Sequence, residues 1–155
     1  MNDLRIERCR DTDAAGWLEL RKALWPDTPR ARHRYEMQAR IDDPERYAVF
    51  LAYAPGGAAL GFAEVSLRME PVSGTKSSPV AFLEGIFVTD RERRHGVGRR
   101  LVDAVLVWAA LRGCRELASD ALLANSVGQR VHRALGFSET ERVVFFKRSV
   151  PPREE

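Results

Sequence analysis

The sequence predicts an α/β domain built on a mixed sheet with helices packed against it. Three observations carry that prediction. Val80 to Val88 is a continuous apolar, β-branched run of the kind a buried strand needs. A basic turn with two glycines follows it and opens a strongly periodic helix. Earlier strand-like stretches, then strand, helix, strand, helix, strand, are the order of a mixed sheet rather than of a bundle or a sandwich.

Taken in order, Leu4 to Arg8 alternates and reads as a first strand. Asp11-Thr12-Asp13 can cap the next helix, whose stripe is Trp17, Leu20 and Leu24, with Ala14 at its start. Trp25-Pro26-Asp27-Thr28-Pro29 stops that helix, because proline removes a donor and disfavours helix before it. Arg30 to Ile41 is a second, more polar helix and Asp42-Asp43-Pro44 a turn. Tyr47 to Ala54 and Ala58 to Arg68 are strands around the hairpin signal Pro55-Gly56-Gly57. Met69 to Pro79, with two prolines, a glycine and three serines, is a surface loop. After the Val80–Val88 strand, the helix from Gly96 to Leu111 carries apolar residues at Val97, Leu101, Ala104, Val105, Trp108 and Leu111, and Gly113 ends it. Glu116 to Ala121 is a short strand, Asn125 to Leu135 a helix closed by Gly136, and Glu139 to Arg148 a last strand. Residues 1–150 form one domain, and 151–155 a frayed tail.

With 155 residues, 45% hydrophobic and 30% charged, the chain suits a single globular domain. No apolar run reaches membrane-spanning length, and Met1 to Arg5 lacks the apolar core of a signal peptide. Cys9 and Cys114 have no metal-like spacing. No metal site, reduced thiols and a cytoplasmic location are therefore expected. A net charge of +3 does not by itself call for nucleic acid, since the basic residues cluster around one turn.

That turn is the first candidate site. The opening amides of a helix lack internal partners and carry the positive end of its dipole. Glycines permit close backbone approach, and Arg91, Arg93, Arg94, Arg99 and Arg100 add charge. An anion, in particular a pyrophosphate, is expected at Arg93–Gly98. The string Arg93-Arg94-His95-Gly96-Val97-Gly98 resembles the acyl-coenzyme A signature of the GNAT superfamily of N-acetyltransferases. The resemblance implies the GNAT acyl-CoA N-acyltransferase fold, a mostly antiparallel mixed sheet. Its fourth and fifth strands splay apart to admit the cofactor's pantetheine.

Further stretches narrow the resemblance. Leu24-Trp25-Pro26, Ser77-Ser78-Pro79-Val80, Phe82 to Val88, Ala118-Ser119-Asp120, Asn125 with His132 to Phe137, and Glu139 to Val143 together are similar to aminoglycoside 6′-N-acetyltransferases. This implies transfer of an acetyl group from acetyl-CoA to an aminoglycoside amine in a ternary complex, and a homodimer. It implies Trp25, Glu84, Asp120 and Glu141 as substrate contacts. It also implies Ile86, Phe87 and Val88 on acetyl-CoA, with Arg93, Arg94, His95, Gly96, Val97, Gly98 and Arg99 around its pyrophosphate and Asn125 on the same molecule. Thr28 and Pro71 stand where relatives tend to have histidine and an aromatic residue, which bears on the range of drugs accepted. A polycationic substrate suits a pocket of carboxylates. Glu84 or Asp120 could take the amine proton, and a main-chain N–H near Val88 could meet the thioester oxygen. His132, seven residues after Asn125, stands where many members have a tyrosine that protonates the thiolate.

Plainer roles compete. Trp25 could close the core behind a helix end, and Glu84 could pair with a buried arginine. Asp120 could cap a strand end, Glu141 could pair with Arg142 in solvent, and His132 could simply pack. Rival activities are acetylation of another small amine or of a protein N-terminus, and a non-catalytic acyl-CoA- or nucleic-acid-binding module. The acids at 84, 120 and 141 argue against a polyanionic ligand. Val143 to Phe146 make an apolar C-terminal strand suited to a dimer contact.

Overall fold

A computed structural model describes residues 3–90 and 95–155. Its order is β1 (Arg5–Arg8), α1 (Trp17–Leu24), α2 (Arg30–Asp42), β2 (Tyr47–Tyr53), β3 (Ala59–Arg68), β4 (Val80–Val88), α3 (Val97–Leu111), β5 (Leu117–Ser119) and α4 (Ser126–Ala134). The strands form one sheet in chain order, antiparallel from β1 to β4, with β5 parallel to β4.

The sheet is covered on both faces, which is why its inner strands read as unbroken apolar runs. In β2, Ala48, Phe50 and Ala52 join Val97, Leu101 and Val105 of α3. Val49, Leu51 and Tyr53 point the other way, onto Trp17 and Leu20 of α1 and Met37 of α2.

Two irregularities shape the functional end. The β3–β4 register shifts between Glu64 and Val65: Glu64 faces Gly85 and Val65 faces Leu83, so Glu84 is the extra residue of a β-bulge. Both Glu84 and Gly85 consequently project to the α1/α2 side. The parallel pairing of β5 covers only Ala81, Phe82 and Leu83. The two strands therefore part company after Leu83 and Ser119.

Helix punctuation agrees with the sequence at the glycines. Gly113 and Gly136 adopt φ of +78° and +93°. In each case the next residue's N–H bonds back into the last turn, Cys114 to Ala109 O at 3.0 Å and Phe137 to His132 O at 3.0 Å.

Other boundaries differ. Asp11 to Asp13 do not cap α1: the Asp11 carboxylate accepts from the Asp13 N–H at 2.7 Å in a local turn, and Gly16, at φ +83°, starts the helix. Ala14 lies before the helix and packs beside its core face. Leu111, placed by spacing on the buried face of α3, is 80% exposed at the helix end. β5 is three residues long, leaving Asp120 beyond it.

The largest difference is the C-terminal segment. Residues 137–155 contain no regular strand, so the strand expected over Glu139–Arg148 is absent. Val143, Val144, Phe145 and Phe146 are consecutive and exposed, Phe146 at 92%. Such a run is apolar on both faces of a strand and needs cover that the other described residues do not supply.

Candidate active site

At the end of α1 the chain turns at Pro26, and the Trp25 indole falls back over the sheet. Its Cζ2 and Cη2 occupy the space a side chain at Gly85 would need, 2.5 and 2.6 Å from an ideal Cβ there. Gly85 is thus glycine for a steric reason: any larger residue displaces Trp25. The ring meets Phe62 edge-on at 5.9 Å between centroids. Trp25 therefore does pack, as the plainer reading holds, yet it remains half-buried.

Glu84 stands beside it on the bulge. Its Oε1 accepts from Ser66 Oγ at 2.6 Å and from Arg68 Nη2 at 3.1 Å. The plainer alternative of a salt bridge is met in part: Glu84 does pair with an arginine, but the Arg68 side chain is 41% exposed rather than buried. Arg68 also lies over the Phe82 ring, 3.6 Å from its centroid. Ser66 and Arg68 were not singled out from sequence. Their signal is the polar alternation Glu64, Ser66, Arg68 along one face of an otherwise apolar strand.

Across the gap, the Ser119 hydroxyl donates to the Leu83 carbonyl at 3.0 Å and meets His132 Nε2 at 2.8 Å. His132 Nδ1 donates to the Gly128 carbonyl at 2.6 Å, and the ring packs edge-on to Phe137. His132 is thus tied to the end of β5. Asp120, the residue just after β5, is exposed. Glu84 and Asp120 are consecutive to the last paired residues, Leu83 and Ser119, and so flank the mouth of the split. Glu141 does not join them: it is exposed on the segment that forms no strand. Thr28 is half-buried, its N–H on the Trp25 carbonyl at 3.2 Å, and Pro71 is exposed in the loop of residues 69–79.

Beyond the split, Ile86 and Val88 pack toward α3 and Phe87 toward α1 and α2. The Thr89 N–H reaches Leu60 O across β3 at 2.8 Å. Because successive N–H groups alternate along a strand, that of Val88 points to the β5 side. The α3 N-terminus lies next to this strand end. An ideal Cβ at Gly98 would sit 3.8 Å from Val88 Cγ2 and 3.4 Å from Leu135 Cδ2. Gly96 takes φ +82° as N-cap with no side-chain cap, and the first turn of α3 presents its amides. His95 and Arg99 are exposed there, whereas Arg100 donates to the Leu4 carbonyl at 2.8 Å and ties α3 to the first strand. Arg93 and Arg94 lie outside the described residues. Asn125 spends its Oδ1 as the N-cap of α4, accepting from the Gly128 N–H at 2.9 Å.

The profile of the acetyltransferase (GNAT) family matches residues 17–137. The chain belongs to that family. An aminoglycoside N(6′)-acetyltransferase type 1 from Serratia marcescens is 49% identical over 142 residues, covering 92% of this chain and 97% of its own. Among solved structures, the aminoglycoside 6′-N-acetyltransferase AAC(6′)-Ih from Acinetobacter baumannii superposes with a TM-score of 0.89 at 43% identity, covering 96% of this chain and 99% of its own. AAC(6′)-Iy in complex with the bisubstrate analogue CoA-S-monomethyl-acetylneamine has a TM-score of 0.87 at 43% identity, with 95% and 99% coverage. Among the described residues the sheet is mixed and five-stranded, and α3 follows its fourth strand.

Proposed function

We propose that this GNAT enzyme moves the acetyl group of acetyl-CoA to the 6′-amine of aminoglycosides, directly, in a ternary complex, and so confers resistance to them. The reading is supported by relatives of that activity that cover almost the whole chain. The observation that carries it in the geometry is the bulge at Glu84–Gly85. It sets a carboxylate and the Trp25 indole side by side at the split between β4 and β5, with the Asp120 carboxylate across the gap. An aromatic face flanked by carboxylates is a receptor for an ammonium-bearing sugar.

Glu84 or Asp120 accepts a proton from the substrate ammonium. The freed amine attacks the thioester carbon, the C–N bond forms, and the C–S bond breaks. Both hydrogen bonds to Glu84 fall on Oε1, which leaves Oε2 for the amine. The Val88 N–H meets the carbonyl oxygen as charge develops. The acylated nitrogen sheds its second proton to water, and the departing thiolate takes one from His132 or from water. The amides of Val97 to Arg99 with Arg99, together with Arg93 and Arg94, hold the pyrophosphate, and Asn125 lies on the same molecule. Thr28 and Pro71 tune which drugs fit. The chain works as a homodimer, a second copy covering the exposed Val143–Phe146 strip. It works in the cytoplasm, where Cys9 and Cys114 stay as the free thiols they are here.

The test is steady-state thiol release from acetyl-CoA with kanamycin or tobramycin. Glu84→Ala is expected to lower kcat/KM for the drug about 10²-fold, in the range of a lost general base. Unchanged kcat and KM in both Glu84→Ala and Asp120→Ala would remove the assignment of the acids.

A further inference from the structure

Behind Trp25 lies a cluster that the reaction does not touch. Arg21, His33 and Glu64 come from α1, α2 and β3, and each is 0% exposed. Arg21 Nη1 donates to both oxygens of Glu64 at 2.5 Å, Nη2 to Glu36, and Nε to His33 Nδ1 at 3.2 Å. Trp17 Nε1 and Arg40 Nε hold Glu64 from further sides at 3.0 and 3.1 Å. With Nδ1 accepting, His33 presents its Nε2–H to the Trp25 carbonyl at 3.2 Å.

Stability alone is a poor reason for such a cluster. Well-packed apolar residues often replace a buried ion pair without loss. What an apolar replacement could not reproduce is the fork geometry of a guanidinium. Every arm of Arg21 is bound, so its plane is fixed, and that plane lies over the Trp25 ring at 4.8 Å from the centroid. The indole is thus set by Arg21 on a face, by Phe62 at an edge and by Gly85 at its tip, while His33 anchors the same residue's backbone.

We infer that the sealed Arg21–His33–Glu64 cluster is a positioning device for Trp25, fixing how far the aromatic wall stands from Glu84 and hence how firmly the aminoglycoside is held. This rests on the reading of Trp25 as a substrate wall. His33 touches neither substrate and acts through Trp25. Its loss acts on the drug's KM and leaves that of acetyl-CoA alone.

The experiment compares His33→Leu, His33→Gln, Trp25→Ala and the two double variants, reading kcat, both KM values and the melting temperature. His33→Leu, which loses both hydrogen bonds, is expected to raise the tobramycin KM about tenfold with the acetyl-CoA KM within about twofold. His33→Gln keeps a donor toward the Trp25 carbonyl and recovers most of that loss. In the Trp25→Ala background, replacing His33 adds less than about twofold, because coupled residues are not additive. An equal rise in both KM values, or full additivity with Trp25→Ala, overturns the inference. Should His33→Leu fail to fold, His33→Gln is read alone: a tobramycin KM raised about threefold that vanishes on Trp25→Ala supports the inference, and an unchanged KM overturns it. If Trp25→Ala leaves the tobramycin KM at its wild-type value, the substrate-wall reading falls as well. If Trp25→Ala raises it and neither His33 variant does, only the positioning role falls.

Discussion

Every fully buried residue among those described lies between Leu4 and Ala109, and none follows. The contrast is not one of sequence pattern. α4 has Val127 and Val131 at helical spacing, and the following segment has Val143 to Phe146, yet all of them are exposed. In the body, each apolar stripe finds another: β2 sits between α3 and the α1/α2 pair. In the C-terminal third, Val127, Val131 and Val143 to Phe146 are left exposed by the described residues. An amphipathic pattern reports that a surface is to be covered; it does not say by which molecule.

The largest expected effect breaks the body. Arg21→Ala takes from the buried Glu64 carboxylate its principal partner and leaves it only Trp17 and Arg40, and stability should fall by up to about 3–5 kcal/mol, the usual cost of removing a single partner of a buried pair. Chemical denaturation measures it, and a loss comparable to that of a surface substitution would show the cluster to be dispensable. Leu101→Ala, at a 0% exposed position where α3 meets the sheet, is expected to cost about 2–5 kcal/mol.

The matching change in the C-terminal third should behave in the opposite way. Val144→Asp with Phe146→Asp alters residues that are 75% and 92% exposed. The melting temperature at high dilution should therefore stay within a few degrees of wild type, about what 1 kcal/mol or less would produce. Sedimentation equilibrium should instead show the dimer lost. A wild-type chain that sediments as a monomer at every concentration would remove the second copy from the account.

The same contrast explains what could be read from the sequence. The Val80–Val88 strand, the α3 start at Gly96 and the closing glycines Gly113 and Gly136 follow from local rules, and they stand where those rules put them. The final strand did not form, because a strand requires a neighbour that pattern cannot name. Glu84 stood out as an acid in an apolar run, but its bulge depends on the register against β3 and was invisible beforehand. The resemblance named Trp25, Glu84 and Asp120, which come to the same gap, and Glu141, which does not. Arg21, His33 and Glu64 went unremarked, since three polar residues 12 to 43 positions apart share no local signature.

The smallest effects separate two carboxylates that are both held below the usual range. Burial pushes the Glu36 carboxyl up, but the Arg32 hydrogen bond and the Arg21 charge outweigh it and leave it lowered. The Arg142 hydrogen bond and charge lower Glu139. A depressed folded pKa contributes stability above the unfolded value, about 4.3 for glutamate, and loses it as pH falls through the folded value. Glu36→Gln should therefore be less stable than wild type at pH 7, and the gap should close below about pH 4. Salt then tells the two regions apart. Glu36 bonds to Arg32, 66% exposed, and also to Arg21, a guanidinium sealed from solvent, whereas the Arg142 partner of Glu139 is 65% exposed and Glu139 has no sealed partner among the described residues. At about 1 M salt the screening length is roughly 3 Å. In side-chain NMR titrations Glu139 should return toward the ordinary carboxylate range while Glu36, which keeps its bond to the sealed Arg21, returns only in part. Equal responses would mean that the Glu36 site is as open to ions as the C-terminal surface, and that the body is less closed around Arg21 than its geometry implies.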